Sequence, residues 1–193
     1  MQNSNHKSSI IACSIFRKEI ESLKMVLLKE SSIHYLDSML HMTPNLLDQK
    51  MSTEVNEELN NGNNVAIIYG ECHACMNKLE ARNNIKRIAG MNCIEIFLGK
   101  EQYRKLRKEG AFFLLPEWCG RWHEVFEKQL GLNMENAKSF MQEMHTQLIY
   151  IDTGVTPVPE TTLNEISKYT GLPYSILPIS LSNLEKAIIN LLD

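Results

Sequence analysis

Short apolar runs alternate along this chain with amphipathic stretches, and that alternation limits the fold more tightly than any other feature. SIIACSI at 9–15 is a compact apolar run that reads as a buried strand. FRKEIESLKMVLLKE follows, with Ile20, Leu23, Leu27 and Leu28 at helical spacing. SIHYLD reads as a second strand. PNLLDQKMSTEVNEELNNG opens on a proline suited to a first helical turn and closes on a glycine suited to a C-terminal cap, so the spacing predicts a helix between them.

NVAIIYG is the clearest strand, because Val65, Ile67, Ile68 and Tyr69 favour sheets and the run ends at Gly70. IKRIAG reads as another short strand. NCIEIFLGKEQYRKLRKEG is ambiguous by periodicity and is read as helix from Cys93, with Ile96, Phe97 and Tyr103 turned inward. AFFLLPEW is an apolar run stopped by Pro116, and CGRWHEVFEKQLG puts Trp122, Phe126 and Leu130 at helical spacing. QLIYIDTG and YSILPIS then read as strands, PETTLNEISKYTG and LSNLEKAIINLL as helices.

Strands separated by helices of this length predict an α/β fold, a three-layer sandwich around a mostly parallel, Rossmann-like sheet. A chain of 193 residues has room for one substantial core. The expectation is a polar leader over 1–8 and a single domain over 9–193, with a helical excursion at 110–145. The 20 basic and 23 acidic residues leave a net charge of -3, which gives no overall attraction to nucleic acid or an anionic membrane. The opening MQNSNHKSS is polar and the apolar run behind it is too short for a signal peptide or a spanning helix. A cytoplasmic protein with neither nucleic acid nor membrane as partner is expected.

Five cysteines form an odd count for a disulfide framework, and in a reducing compartment grouped thiols serve more often as ligands or redox groups. In an open parallel sheet, ligands collect at the carboxyl ends of the strands. Cys13 ends IIAC, Cys72 follows AIIYG, and Cys93 lies beyond IKRIAG, so all three are expected on one edge. His41, between the YLD strand and Pro44, would reach the same edge. Three thiolates and an imidazole suit tetrahedral zinc. An iron–sulfur cluster is the alternative, since three cysteines leave one iron open to another ligand.

Each candidate has a plainer reading. A lone buried cysteine such as Cys13 is ordinarily a small core residue, and His41 would serve equally well to hold a backbone carbonyl. Cys72 and Cys75 are spaced C-x-x-C, which admits a redox pair, and His73 between them is a secondary ligand candidate. Cys119 reads as packing. Trp118, in EWCGRW, would wall a ligand pocket or belong to a helix core, and Asp152, in YIDTG, would contact a ligand or close a turn.

Taken in order, IIACSIFRKEIE, HYLDSMLHMTP, AIIYGECHACM, GMNCIEIFLGKEQY, FFLLPEWCGRW and YIDTG resemble the family catalogued as domain of unknown function 1638, found in anaerobic bacteria and methanogenic archaea. The resemblance covers nearly the whole chain after the leader. It points to Cys13, Glu19, His41, Pro44, Tyr69, Gly70, Cys72, Cys93, Gly99, Trp118, Asp152 and Gly154, and it implies Tyr69 as a ligand-binding residue. Cys75 matches no fixed position. Members often carry His-Asp ahead of the fourth-block cysteine, where this chain has Met91 and Asn92.

The resemblance also implies a genomic association with corrinoid-dependent methyltransferase systems, so a corrinoid protein or a methyltransferase is the expected partner, with a small-molecule ligand besides. Three readings follow: a metal-binding accessory protein, a zinc enzyme that activates a thiol for methyl transfer, and a metal-free thiol redox protein. No catalytic acid–base pair stands out in the sequence.

Overall fold

The structure, a computed structural model, describes residues 8–72 and 75–193. The chain forms two compact units, one of residues up to Ile96 together with Ser182–Asp193 and one of Phe97–Leu181.

In the first unit β1 (Ser8–Cys13) runs through a turn of 3-10 helix at Ser14–Phe16 into α1 (Arg17–Ser22) and α2 (Val26–Lys29). The helix expected over this whole stretch is broken at Leu23, whose backbone is extended. The Ser22 hydroxyl donates back to the Glu19 carbonyl at 2.6 Å, a local bond that competes with continuing the helix. β2 (Ser32–Leu36) and a 3-10 turn at Ser38–Met42 lead to α3 (Pro44–Asn60). Leu47, Met51 and Val55, four residues apart, are all fully buried on one face of α3. Gly62 then supplies the positive φ of 80° that turns the chain toward β3 (Asn64–Ile68). α4 (Cys75–Glu80), β4 (Ile85–Arg87) and α5 (Cys93–Leu98) follow, and the division between the units falls within α5.

The second unit continues through α6 (Lys100–Lys108), separated from α5 by Gly99 at φ 78°, so the single helix expected from Cys93 becomes two. β5 (Ala111–Leu114), α7 (Pro116–Cys119), a π-helix at Glu124–Gln129, α8 (Ala137–Met144), β6 (Gln147–Asp152), α9 (Glu160–Thr170) and β7 (Tyr174–Pro178) complete it. The stretch 110–145 holds β5, α7, the π-helix and α8, with irregular and turn backbone over 130–136. The wide π turn, closed by the Leu130 amide on the Val125 carbonyl, rotates Leu130 off the face set by Trp122 and Phe126. Leu130 is accordingly exposed, whereas Trp122 and Phe126 pack edge-on against Tyr169. α10 (Ser182–Leu192) returns to the first unit, where it packs on β3.

The protein is an α/β Rossmann-like fold whose strands are all parallel. Where one sheet is expected, the described strands form two, ordered β2-β1-β3-β4 and β5-β6-β7. β4 ends the first sheet: it is three residues long, and exposed Lys86 leaves an edge unsuited to a further strand. The central strands carry the cores, with Ile10, Ile11 and Ala12 of β1 and Leu148, Tyr150 and Ile151 of β6 fully buried.

Candidate functional site

Because the strands of the first sheet are parallel, their carboxyl ends share one edge. From β1 the chain moves outward to β2, and from β3 it moves the other way to β4. The crevice between the ends of β1 and β3 is therefore a topological switch point, the place where open α/β sheets bind ligands. Cys13 is the last residue of β1, and one step beyond the Ala12–Ile68 pair it comes beside Tyr69. Cys72 lies on the loop leaving β3, and Cys93 opens α5 after β4.

The three thiols meet electrostatically. Burial pushes the Cys93 thiol well above its ordinary value, and the neighbouring sulfurs of Cys13 and Cys72 push it further. Backbone N–H groups of Ile94 and of Cys93 itself donate to that sulfur and oppose the rise. Cys72 is exposed as a residue, yet the protein around its sulfur still raises it, against the Arg87 guanidinium and a hydrogen bond from the Gly70 N–H. Cys13 is buried. Tyr69 is 1% exposed, and burial first, then the nearby Cys13, hold its phenol far above the usual range. At neutral pH the thiols of Cys72 and Cys93 and the phenol of Tyr69 thus keep their protons.

A glycine lets the two cysteine loops touch. A Cβ on Gly70 would stand 2.5 Å from the Asn92 Cα and 3.0 Å from the Met91 carbonyl oxygen. That close approach allows the Glu71 amide to donate to the Met91 carbonyl at 2.9 Å, tying the segment before Cys72 to the segment before Cys93. Asn92 caps α5 by accepting from the Glu95 amide at 2.9 Å, the task an aspartate would perform there. The departure from the His-Asp pattern therefore keeps the cap.

Arg87, at the end of β4, was not among the sequence candidates. Its side chain is only 7% exposed, and one guanidinium nitrogen donates to the carbonyls of Tyr69, Ile88 and Gly90 at 3.3–3.4 Å. Nε lies 2.7 Å from Glu80 Oε1, and the far nitrogen 3.4 Å from Glu71. One buried cation thereby joins both cysteine loops. Its only sequence signal is a charge at a strand end.

His41 sits in the 3-10 turn after β2 and is half-buried. Its Nδ1 faces the Ser38 carbonyl oxygen, which can only accept, so Nδ1 is the donor. Metal-binding histidines are commonly oriented this way. The β2 end is tied in as well: the Ser38 amide donates to Ser14 Oγ at 2.9 Å, and the Tyr69 hydroxyl reaches the Asp37 carbonyl at 3.4 Å. A groove of about 520 Å³ beside it, lined by Tyr35, Asp37, Leu40, Lys50 and Glu54, has room for a small molecule.

The structure brings together Cys13, Tyr69, Cys72 and Cys93. Among the described residues, no group of three or more His, Cys, Asp or Glu side chains is arranged so that it could hold a metal ion. His73 lies outside the described residues. Trp118 and Asp152 belong to the second unit: half-buried Trp118 is in α7, and Asp152 ends β6 with Oδ1 accepting the Gly154 amide at 2.9 Å. That is the turn-closing role foreseen for the aspartate. Cys119, 3% exposed, is packed in the second unit, where burial pushes its thiol up to about 12.

A family model described as "Protein of unknown function (DUF1638)" matches residues 35–188. The chain belongs to this family. The match takes in His41, Tyr69, Cys72, Cys93, Trp118 and Asp152, whereas Cys13 and Glu19 precede the matched DUF1638 span. Neither a curated protein nor a solved structure matches the chain. No helix among the described residues is long and apolar enough to cross a membrane.

Proposed function

We propose that the protein is a cytoplasmic metal-binding accessory protein of corrinoid-dependent methyl metabolism, with Cys13, Cys72 and Cys93 as ligands and His41 as the fourth, displaceable donor. The observation that supports this reading is the meeting of thiols from three strand ends at the switch point of the sheet. The donor set suits zinc, or an iron–sulfur cluster with one iron open. Metal binding would displace the thiol protons, so ligands that pack as small neutral groups would turn toward the ion only when it arrives. Zinc held there would act as a Lewis acid toward a substrate thiol. The link to corrinoid proteins rests on the family resemblance alone.

The test is elemental analysis with an absorption spectrum on anaerobically purified protein. About one zinc per chain, with no visible absorption, supports the mononuclear site. Iron with sulfide and a broad visible band supports a cluster instead. Protein without metal under conditions that retain it would overturn the proposal and leave thiol redox chemistry as the use of these cysteines.

A further inference from the structure

The groove beside β2 is where uncommitted charges meet. It encloses about 520 Å³ between the carboxyl end of β2 and the first half of α3, and Leu36, Leu40 and Leu46 give it apolar walls. Lys50 and Glu54, one helical turn apart on α3, line it as well. They do not pair with each other. A lysine four residues ahead of a glutamate is the weaker order for an ion pair on a helix, and His34 of β2 draws Glu54 aside, with Nδ1 3.2 Å from Glu54 Oε2. Among the described residues, Lys50 therefore has no carboxylate partner, and neither Glu54 Oε1 nor the Gln49 side-chain amide is hydrogen-bonded. Asp37 adds a second carboxylate at the strand end, its Oδ1 accepting the Met39 amide at 2.8 Å.

We propose that this groove binds a small zwitterion, an α-amino acid or a short peptide with apolar side chains: Lys50 takes the carboxylate, Glu54 the ammonium, and the three leucines the side chain. The assignment does not depend on a metal at the thiols. Two carboxylates beside one ammonium disfavour a simple anion, and Lys50 disfavours a simple cation. A ligand that carries both charges meets each with its opposite. The volume lies in the range of small-molecule sites and admits a second residue. β2 is also the edge of its sheet, so its outward amides and carbonyls are open to a peptide main chain.

The experiment titrates the full chain with L-leucine and with leucyl-leucine, followed by calorimetry, beside two analogues that each lack one charge, 3-methylbutylamine and 4-methylpentanoate. Leucine or the dipeptide should bind with millimolar affinity or better, and each analogue about tenfold more weakly, the loss of one charge-assisted hydrogen bond. Lys50→Gln should weaken leucine about tenfold and leave the affinity for the amine unchanged, whereas Glu54→Gln should weaken leucine and leave the affinity for 4-methylpentanoate unchanged. Lys50 is exposed, so its variant keeps the test open should Glu54→Gln unfold on losing the His34 contact.

Tighter binding of the dipeptide assigns the groove to short peptides, and tighter binding of leucine to free amino acids. Absence of binding by both, equal binding of leucine and the two analogues, or a Lys50→Gln variant that binds leucine as the wild type does would overturn the proposal.

Discussion

The carboxyl ends of β1, β3 and β4 gather three thiols and a phenol, whereas those of β5 and β6 in the second unit lead to Trp118 and to Asp152, the latter folded into its own turn. Both edges come from the same parallel architecture. In the first, loops from different strands are drawn into contact through Gly70 and Arg87. In the second, the polar groups are met nearby in the chain: Asp152 by Gly154, and Arg121 by Glu117 at 3.4 Å one helical turn away. A strand-end position is therefore not enough to make a site. Convergence of side chains from separate loops distinguishes the first edge.

The sharpest way to break the comparison is to exchange atoms at each edge and count metal. Cys72→Ser and Cys93→Ser should each reduce bound metal from about one per chain to near zero, measured by elemental analysis, because zinc sites depend on every thiolate. Trp118→Ala, Asp152→Asn and Cys119→Ser should leave it unchanged. Equal metal content in all five variants would remove the distinction between the edges.

The glycines give the next largest effect. Gly70→Ala should cost about 3 kcal/mol or more in chemical denaturation, since the new methyl meets backbone that cannot rotate away. Gly154→Ala should cost only about 1 kcal/mol, for its φ of 70° but with open space around it. Similar losses at both positions would mean that the loop contact at Gly70 is not tight.

Titration separates the edges less strongly. Cys119 has its folded-state value raised from 9.0 to about 12, so the folded protein holds that proton more firmly than the unfolded chain. Its contribution to stability is fully present below pH 9.0 and is lost as pH rises toward about 12. Denaturation midpoints should fall across that window, and Cys119→Ala should flatten the fall. The thiols of Cys72 and Cys93, also raised, add to the slope in metal-free protein, and bound metal should remove their share.

The smallest effect belongs to Asp152. Asn can accept the same bond from the Gly154 amide, so Asp152→Asn should change stability by less than about 0.5 kcal/mol, and Asp152→Ala by about 1 kcal/mol. A large loss in the Asn variant would mean that the charge at this second edge does more than close a turn.

The sequence by itself determined the strands, the parallel class and the edge on which the thiols lie. Apolar runs such as SIIAC and LIYI must be buried on both faces, intervening amphipathic stretches must become crossovers, and parallel strands necessarily align their carboxyl ends. Helix breaks were hidden because apolar spacing continues across Leu23, and the π turn because Leu130 fits the α-helical period until one residue is added to a turn. The division into two sheets depends on which strands find partners, a long-range choice that local periodicity does not encode. Only the tertiary structure decided that Tyr69 reaches the Asp37 carbonyl beyond β2 and that Arg87 is buried between the cysteine loops, because both facts depend on strand order and on backbone approach at a single glycine.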